Sequence, residues 1–284
     1  MRQVPRYSLC SLTFAAFILG LVVCQTASAQ ATPVLPSEPH AWLNTAPYRL
    51  EGKGVVFWYF EEGCPRCRAK WPELIELSAK YADQPVIFVA VSSGTARTEL
   101  NDYVRDIKLK WPVLVDSQRS FEKQSGVGEI SLQNIFQIAY IDGSGKFRQG
   151  RWDDLESTVK AALSGARWST SPSQIPSALL PAWRSIEFGQ FAGAAETLLH
   201  SQALADSHIS SAAKRLIESV EHSITADINQ LPPTSDRWER YVQMRNIANR
   251  YRGFVLPADF RSEGNRLHAD PEIKRRIQSL NSYD

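Results

Sequence analysis

The chain is 284 residues long and carries 32 lysines and arginines against 30 aspartates and glutamates, a formal charge of +2. So even a balance gives no support for a nucleic-acid or anionic-membrane partner, and neither is expected. Four cysteines in a chain of this length exclude a disulfide scaffold, because a few hundred residues bury one or two cores without covalent staples.

Residues 1–29 are predicted to be a signal peptide. Arg2 and Arg6 give a positive start, an apolar run extends from Leu9 to Val23, and "TASA" precedes Gln30, with cleavage expected after Ala29. The run falls short of the roughly 20 residues that span a bilayer, and Val23 is too large for a lipoprotein-type cut before Cys24. Membrane attachment is therefore not expected after cleavage, and the mature chain is expected in an exported compartment, the bacterial periplasm, where disulfides form. Cleavage removes Cys10 and Cys24 and leaves one local pair, Cys64 and Cys67. It also leaves acids and bases in balance.

Residues 30–53 read as an extended leader. From Gly54, "VVFWYF" is a continuous apolar run suited to a buried parallel strand. A helix is predicted from Pro65 to Ala82, with Leu74, Ile75, Leu77 and Tyr81 facing inward. "PVIFVAVSS" is the next strand, Thr95 to Leu109 the next helix, and "WPVLVD" a strand ending on Asp116, a cap for the helix in "SQRSFEKQSG". "IFQIAYID", a "DGSGK" turn and "FRQGRWD" form a predicted hairpin, and a last helix runs from Asp153 to about Leu163. Alternating strands and helices make residues 54–165 an α/β domain, and the hairpin makes its sheet mixed, with helices flanking it.

Ser/Pro-rich, aperiodic residues 166–176 read as a linker. Residues 177–284 carry helical spacing only and are expected to form an all-α helical-hairpin domain. "RSIEFGQFAGAAETLL" resembles the helical hairpins of tetratricopeptide repeats, without a second clear copy. Arg237, Arg240, Arg245, Arg250 and Arg252 form either a docking face for an acidic partner or a solvated helix face. His200, His208, His222 and His268 lack metal-ligand spacing.

The pair in "GCPRC" opens a helix. Unpaired backbone N–H groups and the positive end of the helix dipole favour a thiolate there, and the thiolate is the nucleophile of disulfide exchange. Three-residue spacing puts both sulfurs on one face, within reach of a disulfide. Pro65 suits the first turn, where its missing N–H is not needed. Cys64 is expected to be the more exposed, attacking thiol and Cys67 the resolving one, with Arg66 either favouring the thiolate or simply solvated.

"FWYFEEGCPRCRAKWPEL" resembles the active-site strand, loop and helix of the thioredoxin-like superfamily, and Pro72 stands where those helices carry a proline. "WPVLVDSQRSFEKQSGV" and "AYIDGSGKF" are similar to segments of the redoxin and TlpA-like exported members, so the resemblance covers about Gly54 to Leu163. It implies thiol-disulfide exchange with partner proteins that carry thiols or disulfides, with no cofactor. Three departures stand against it. Phe136 occupies the place of the family's cis-proline, and its peptide is expected to be trans, because a non-proline cis bond costs about 2.5–4 kcal/mol; the preceding "GEISLQNI" is longer than usual. Trp58 replaces a buried carboxylate, a role left to Glu61 or Glu62. Gly63 stands where the family often has Trp.

Two cysteines supply half of a structural zinc set, and the nearest histidine, His40, lies in the leader, so no metal is expected. The peroxidase pattern of Pro and Thr before the reacting cysteine is absent: Phe57 and Glu61 precede Cys64, and Phe60 and Cys64 precede Cys67. The competing reading is a binding or adaptor module in which the CxxC disulfide only stiffens the helix start. Oligomeric state is not legible.

Overall fold

The computed structural model describes residues 32–36, 38–44 and 46–281. Six strands form one mixed sheet in the order β1-β4-β3-β2-β5-β6. Its centre is β2 (Gly54–Phe60), paired in parallel with β3 (Val86–Ser93), which pairs in parallel with β4 (Val113–Asp116). On the other side β5 (Ile138–Ile141) and β6 (Phe147–Gln149) run as the antiparallel hairpin read from the sequence. Every residue of β2 is buried, as a continuous apolar run at the middle of a sheet requires.

The strand's period of two splits its side chains between two cores. Val56, Trp58 and Phe60 face one core with residues of α1 (Pro65–Lys80), α2 (Arg97–Asp106) and α4 (Leu155–Ala162), and this core contains Cys64 and Cys67. Val55, Phe57 and Tyr59 face the other, with Phe121 of α3 (Ser120–Ser125) and Phe188. Asp116 caps α3 as expected: Oδ1 accepts from the backbone N–H of Ser120 and Phe121, and Oδ2 from Glu122.

The stretch read as an extended leader is partly folded. Pro39–Ala41 makes a 3-10 turn, and Trp42–Leu43 is β1, an edge strand antiparallel to β4. Trp42 and Leu43 are buried there; a two-residue strand is too short to show alternation in a sequence. The signal segment read at 1–29 lies outside the described residues. Among the described residues no helix is long and apolar enough to cross a membrane.

Beyond α4 the chain is helical: α5 (Leu180–Glu187), α6 (Ala195–Ser201), α7 (Ser207–Asn229), α8 (Arg237–Arg250), α9 (Ala258–Ala269) and α10 (Pro271–Asn281). Leu198, Ala213, Val220, Met244, Tyr251 and Phe260 are among the residues of their common core. The stretch read as a linker is pinned. Trp168 packs at a tilt on Trp183 and edge-on against Phe188, and its Nε1 donates to the Asp83 carbonyl. Arg184, from α5, donates to the carbonyls of Gln84 and Val86 at the foot of β3. Burial pulls its guanidinium down to about 10 from its usual range. Gly189 turns the chain after α5 at φ +71°; a Cβ there would come within 2.9 Å of the Arg49 backbone nitrogen, so only glycine allows this approach.

Candidate active site

The first turn of α1 is built from the residues that singled it out in the sequence. Cys64 is the N-cap, in extended conformation, and Pro65 is the first helical residue. The Cys67 backbone N–H donates to Cys64 Sγ at 3.2 Å. One of the orphan donors of the helix start therefore points at the sulfur. Both cysteines are unbridged.

Their exposure differs from expectation. Cys64 is read from the sequence as the more exposed of the two thiols, but at 1% exposed against 0% for Cys67 the two are buried alike. The reason is the layer of side chains around the helix start. Ile135 and Phe136 pack on the core that holds both cysteines. The Phe136 ring lies 5.9 Å from that of Trp58 and 5.6 Å from that of Trp152, with the Arg66 guanidinium 5.2 Å away over its face. Arg66 is thus exposed but held against an aromatic face, a contact of about 0.5–1 kcal/mol. Among the described residues there is no cis peptide bond, so Phe136 is trans; it takes φ +65°, a left-handed conformation that disfavours a bulky residue.

The other wall is aromatic as well. Phe60 meets Trp71 edge-on and stacks on Tyr103, and Trp71 Nε1 donates to the Tyr103 hydroxyl at 2.8 Å. The Arg68 guanidinium covers the Tyr103 ring at 4.8 Å. Tyr103 and Trp152 were not picked out in the sequence. Their chemistry is ordinary there, and only the fold brings Tyr103 against Phe60 and Trp71 and Trp152 against Phe136.

Burial pushes the Cys67 thiol up to about 12, helped by the hydrogen bond it shares with Cys64 and by the charges of Cys64 and Glu61; a hydrogen bond to the Glu61 backbone pulls the other way. Glu61 is therefore a neighbour of the second sulfur. Its Oε2 is buried and has no hydrogen-bond partner. Glu62 is used differently: it accepts a hydrogen bond from Thr95 Oγ1, tying the loop before α1 to the loop before α2. Trp58, in place of a strand carboxylate, leaves its own Nε1 buried without a partner. Among the described residues no group of three His, Cys, Asp or Glu is placed to hold a metal. His40, in the 3-10 turn, is exposed.

Residues 39–145 match the model of the AhpC/TSA family. Curated relatives include thiol-disulfide oxidoreductase ResA of Bacillus cereus, 30% identical over 100 residues, 35% of this chain and 55% of that protein. ResA of Bacillus thuringiensis is 28% identical over 97 residues, 34% of this chain and 53% of that one. The chain thus spans about half the length of the curated relatives it matches. Among solved structures, that of MTB dsbF in its mixed oxidized and reduced forms is 22% identical, covers 45% of this chain and 99% of that one, and superposes with a TM-score of 0.36.

Proposed function

We propose that this chain, whose residues 39–145 form a thioredoxin-like module of the AhpC/TSA kind, is an exported thiol-disulfide exchange protein acting on partner proteins. The observation that carries the reading is the Cys64 sulfur at the start of α1, receiving the Cys67 N–H, with the second thiol one turn on. The names of the curated relatives point the same way. Export rests on the predicted signal segment.

In the proposed reaction the Cys64 thiolate attacks one sulfur of a partner disulfide and forms a mixed disulfide, and the partner's other sulfur leaves as thiolate. Cys67 then loses its proton and attacks Cys64 Sγ. The Cys64–Cys67 disulfide forms, and the second partner sulfur leaves. The partner gains two electrons and, after protonation, two thiols; the pair loses both electrons. With Cys67 held up near 12, the second step needs a base. Glu61, with a buried, unpartnered carboxylate oxygen next to Cys67, takes that role, and Arg66, Pro65 and Phe136 shape the approach.

The sign of the pH effect follows. With Cys67 held up near 12, a base within reach makes resolution of the mixed disulfide less steeply dependent on pH than direct ionisation of the thiol would. In Glu61→Gln only direct ionisation of Cys67 remains, so the rate rises about tenfold per pH unit, starting about a hundredfold below wild type near neutrality, a low-end general-base effect. The two profiles meet near about pH 9. Stopped-flow release of the second partner thiol measures both; parallel profiles would remove Glu61 from the mechanism.

Burial of both sulfurs favours a second reading, the adaptor module with a purely structural disulfide. The two differ in whether the layer of Arg66, Phe136 and Trp152 opens. In the exchange reading, Phe136→Ala removes the ring and raises the rate of Cys64 alkylation by iodoacetamide about tenfold, as local opening becomes easier. Mass spectrometry of the reduced, folded protein follows this. An unchanged rate supports the adaptor.

A further inference from the structure

The arginines of the helical half are not equivalent. Arg237, Arg240 and Arg250 pair with Asp270, Glu263 and Asp227, and Arg276 with Glu272. Arg245 instead donates to the Tyr241 hydroxyl at 2.9 Å, and that hydroxyl lies 3.1 Å from His268 Nδ1. This chain of polar groups edges a groove of about 300 Å³ between α8 and α9, whose walls include Met244, Leu256 and Phe260. Arg261 is also on its lining, and no carboxylate is. Val255, beside Leu256 in the chain, is 77% exposed.

Gly264 is the second observation. It lies inside α9, among the positions where glycine is least suited. Close helix packing does not require it: a Cβ there would meet only Met244 Cε, at an ordinary 3.7 Å. A longer side chain at 264 would cover the groove floor. The glycine therefore leaves open an apolar slot edged by Arg245 and Arg261, with no carboxylate on its lining and the neutral Tyr241 hydroxyl beside Arg245.

We propose that the groove between α8 and α9 binds a small amphiphilic carboxylate, its apolar body on Met244, Leu256 and Phe260 and its anionic end on Arg245 and His268. A volume at the small end of ligand sites suits a compact molecule rather than a docked helix. Arg245 spends one donor on Tyr241 and keeps others for a carboxylate, the geometry that guanidinium recognises best. The site is independent of the cysteines.

The test is calorimetric titration of the full chain with octanoate at low salt, beside acetate and octyltrimethylammonium. Saturable octanoate binding is expected, with neither control binding comparably. Arg245→Gln should weaken it about tenfold, the loss of one charge-assisted contact. Gly264→Leu should abolish it while insulin reduction stays unchanged, and Gly264→Ala should keep it. If Gly264→Leu fails to fold, Arg245→Gln decides. Equal binding of the octyl cation, no octanoate binding, or affinity indifferent to Arg245→Gln overturns the proposal; so does binding of acidic peptides alone.

Discussion

Cys64→Ser is expected to lower catalysed insulin reduction by dithiothreitol at least about a hundredfold, to the uncatalysed baseline. A serine hydroxyl cannot replace the thiolate as nucleophile, and without Cys64 no mixed disulfide forms. The substitution is mild for the fold. Serine is a preferred N-cap, and its Oγ can take the Cys67 N–H that Cys64 Sγ accepts now. Loss of activity with unchanged circular dichroism therefore reports chemistry. Retained activity would transfer the reaction away from α1 and leave the adaptor reading.

The largest stability effect is expected at a different place. Lys53 and Glu187 join the α/β part to the helical part as an ion pair at 2.8 Å, with side chains only 2% and 5% exposed. Lys53 Nζ also donates to the Arg167 carbonyl and Ser169 Oγ, and lies 5.6 Å over the Trp168 ring. The Glu187 oxygens accept from the backbone N–H of Ser169 and Thr170. Removing one partner of such a pair strands the other charge in the interior, at about 3–5 kcal/mol. Lys53→Met should thus lower the melting temperature by roughly 10 °C in a chain of this size. Glu187→Gln, which keeps a carbonyl oxygen for one N–H, should be less than additive with it, as expected for two groups in contact. A shift of under about 2 °C for Lys53→Met would mean that the pair does not hold these two parts together.

Local patterns were legible wherever chemistry and period coincide. The "VVFWYF" run is β2, "GCPRC" opens α1, and Asp116 caps α3, its carboxylate accepting from N–H groups four to six residues on. What escaped the sequence depends on partners far along the chain. Cys64 is buried in a core against which Ile135 and Phe136, far along the chain, also pack. β1 has two residues and takes its identity from β4. The arginine run from 237 to 252 left two readings open, and the deciding partners are tertiary: Asp270, Glu263 and Asp227 take three of its members, while Arg245 stays within α8 and donates to Tyr241. Glu61 and Glu62 are adjacent and alike, yet one lies beside Cys67 and the other holds Thr95. No spacing rule separates them, because the bend before Cys64 decides which way each points.

The claim on which the account turns is that a partner's sulfur reaches Cys64 in the folded protein. It is tested most directly by trapping: reduced Cys67→Ser protein, mixed under native conditions with a disulfide-containing polypeptide such as insulin, then quenched with acid and analysed by mass spectrometry. The account predicts a one-to-one mixed disulfide on Cys64, formed within the folded state and released by dithiothreitol. An adduct that forms only after denaturation would contradict it.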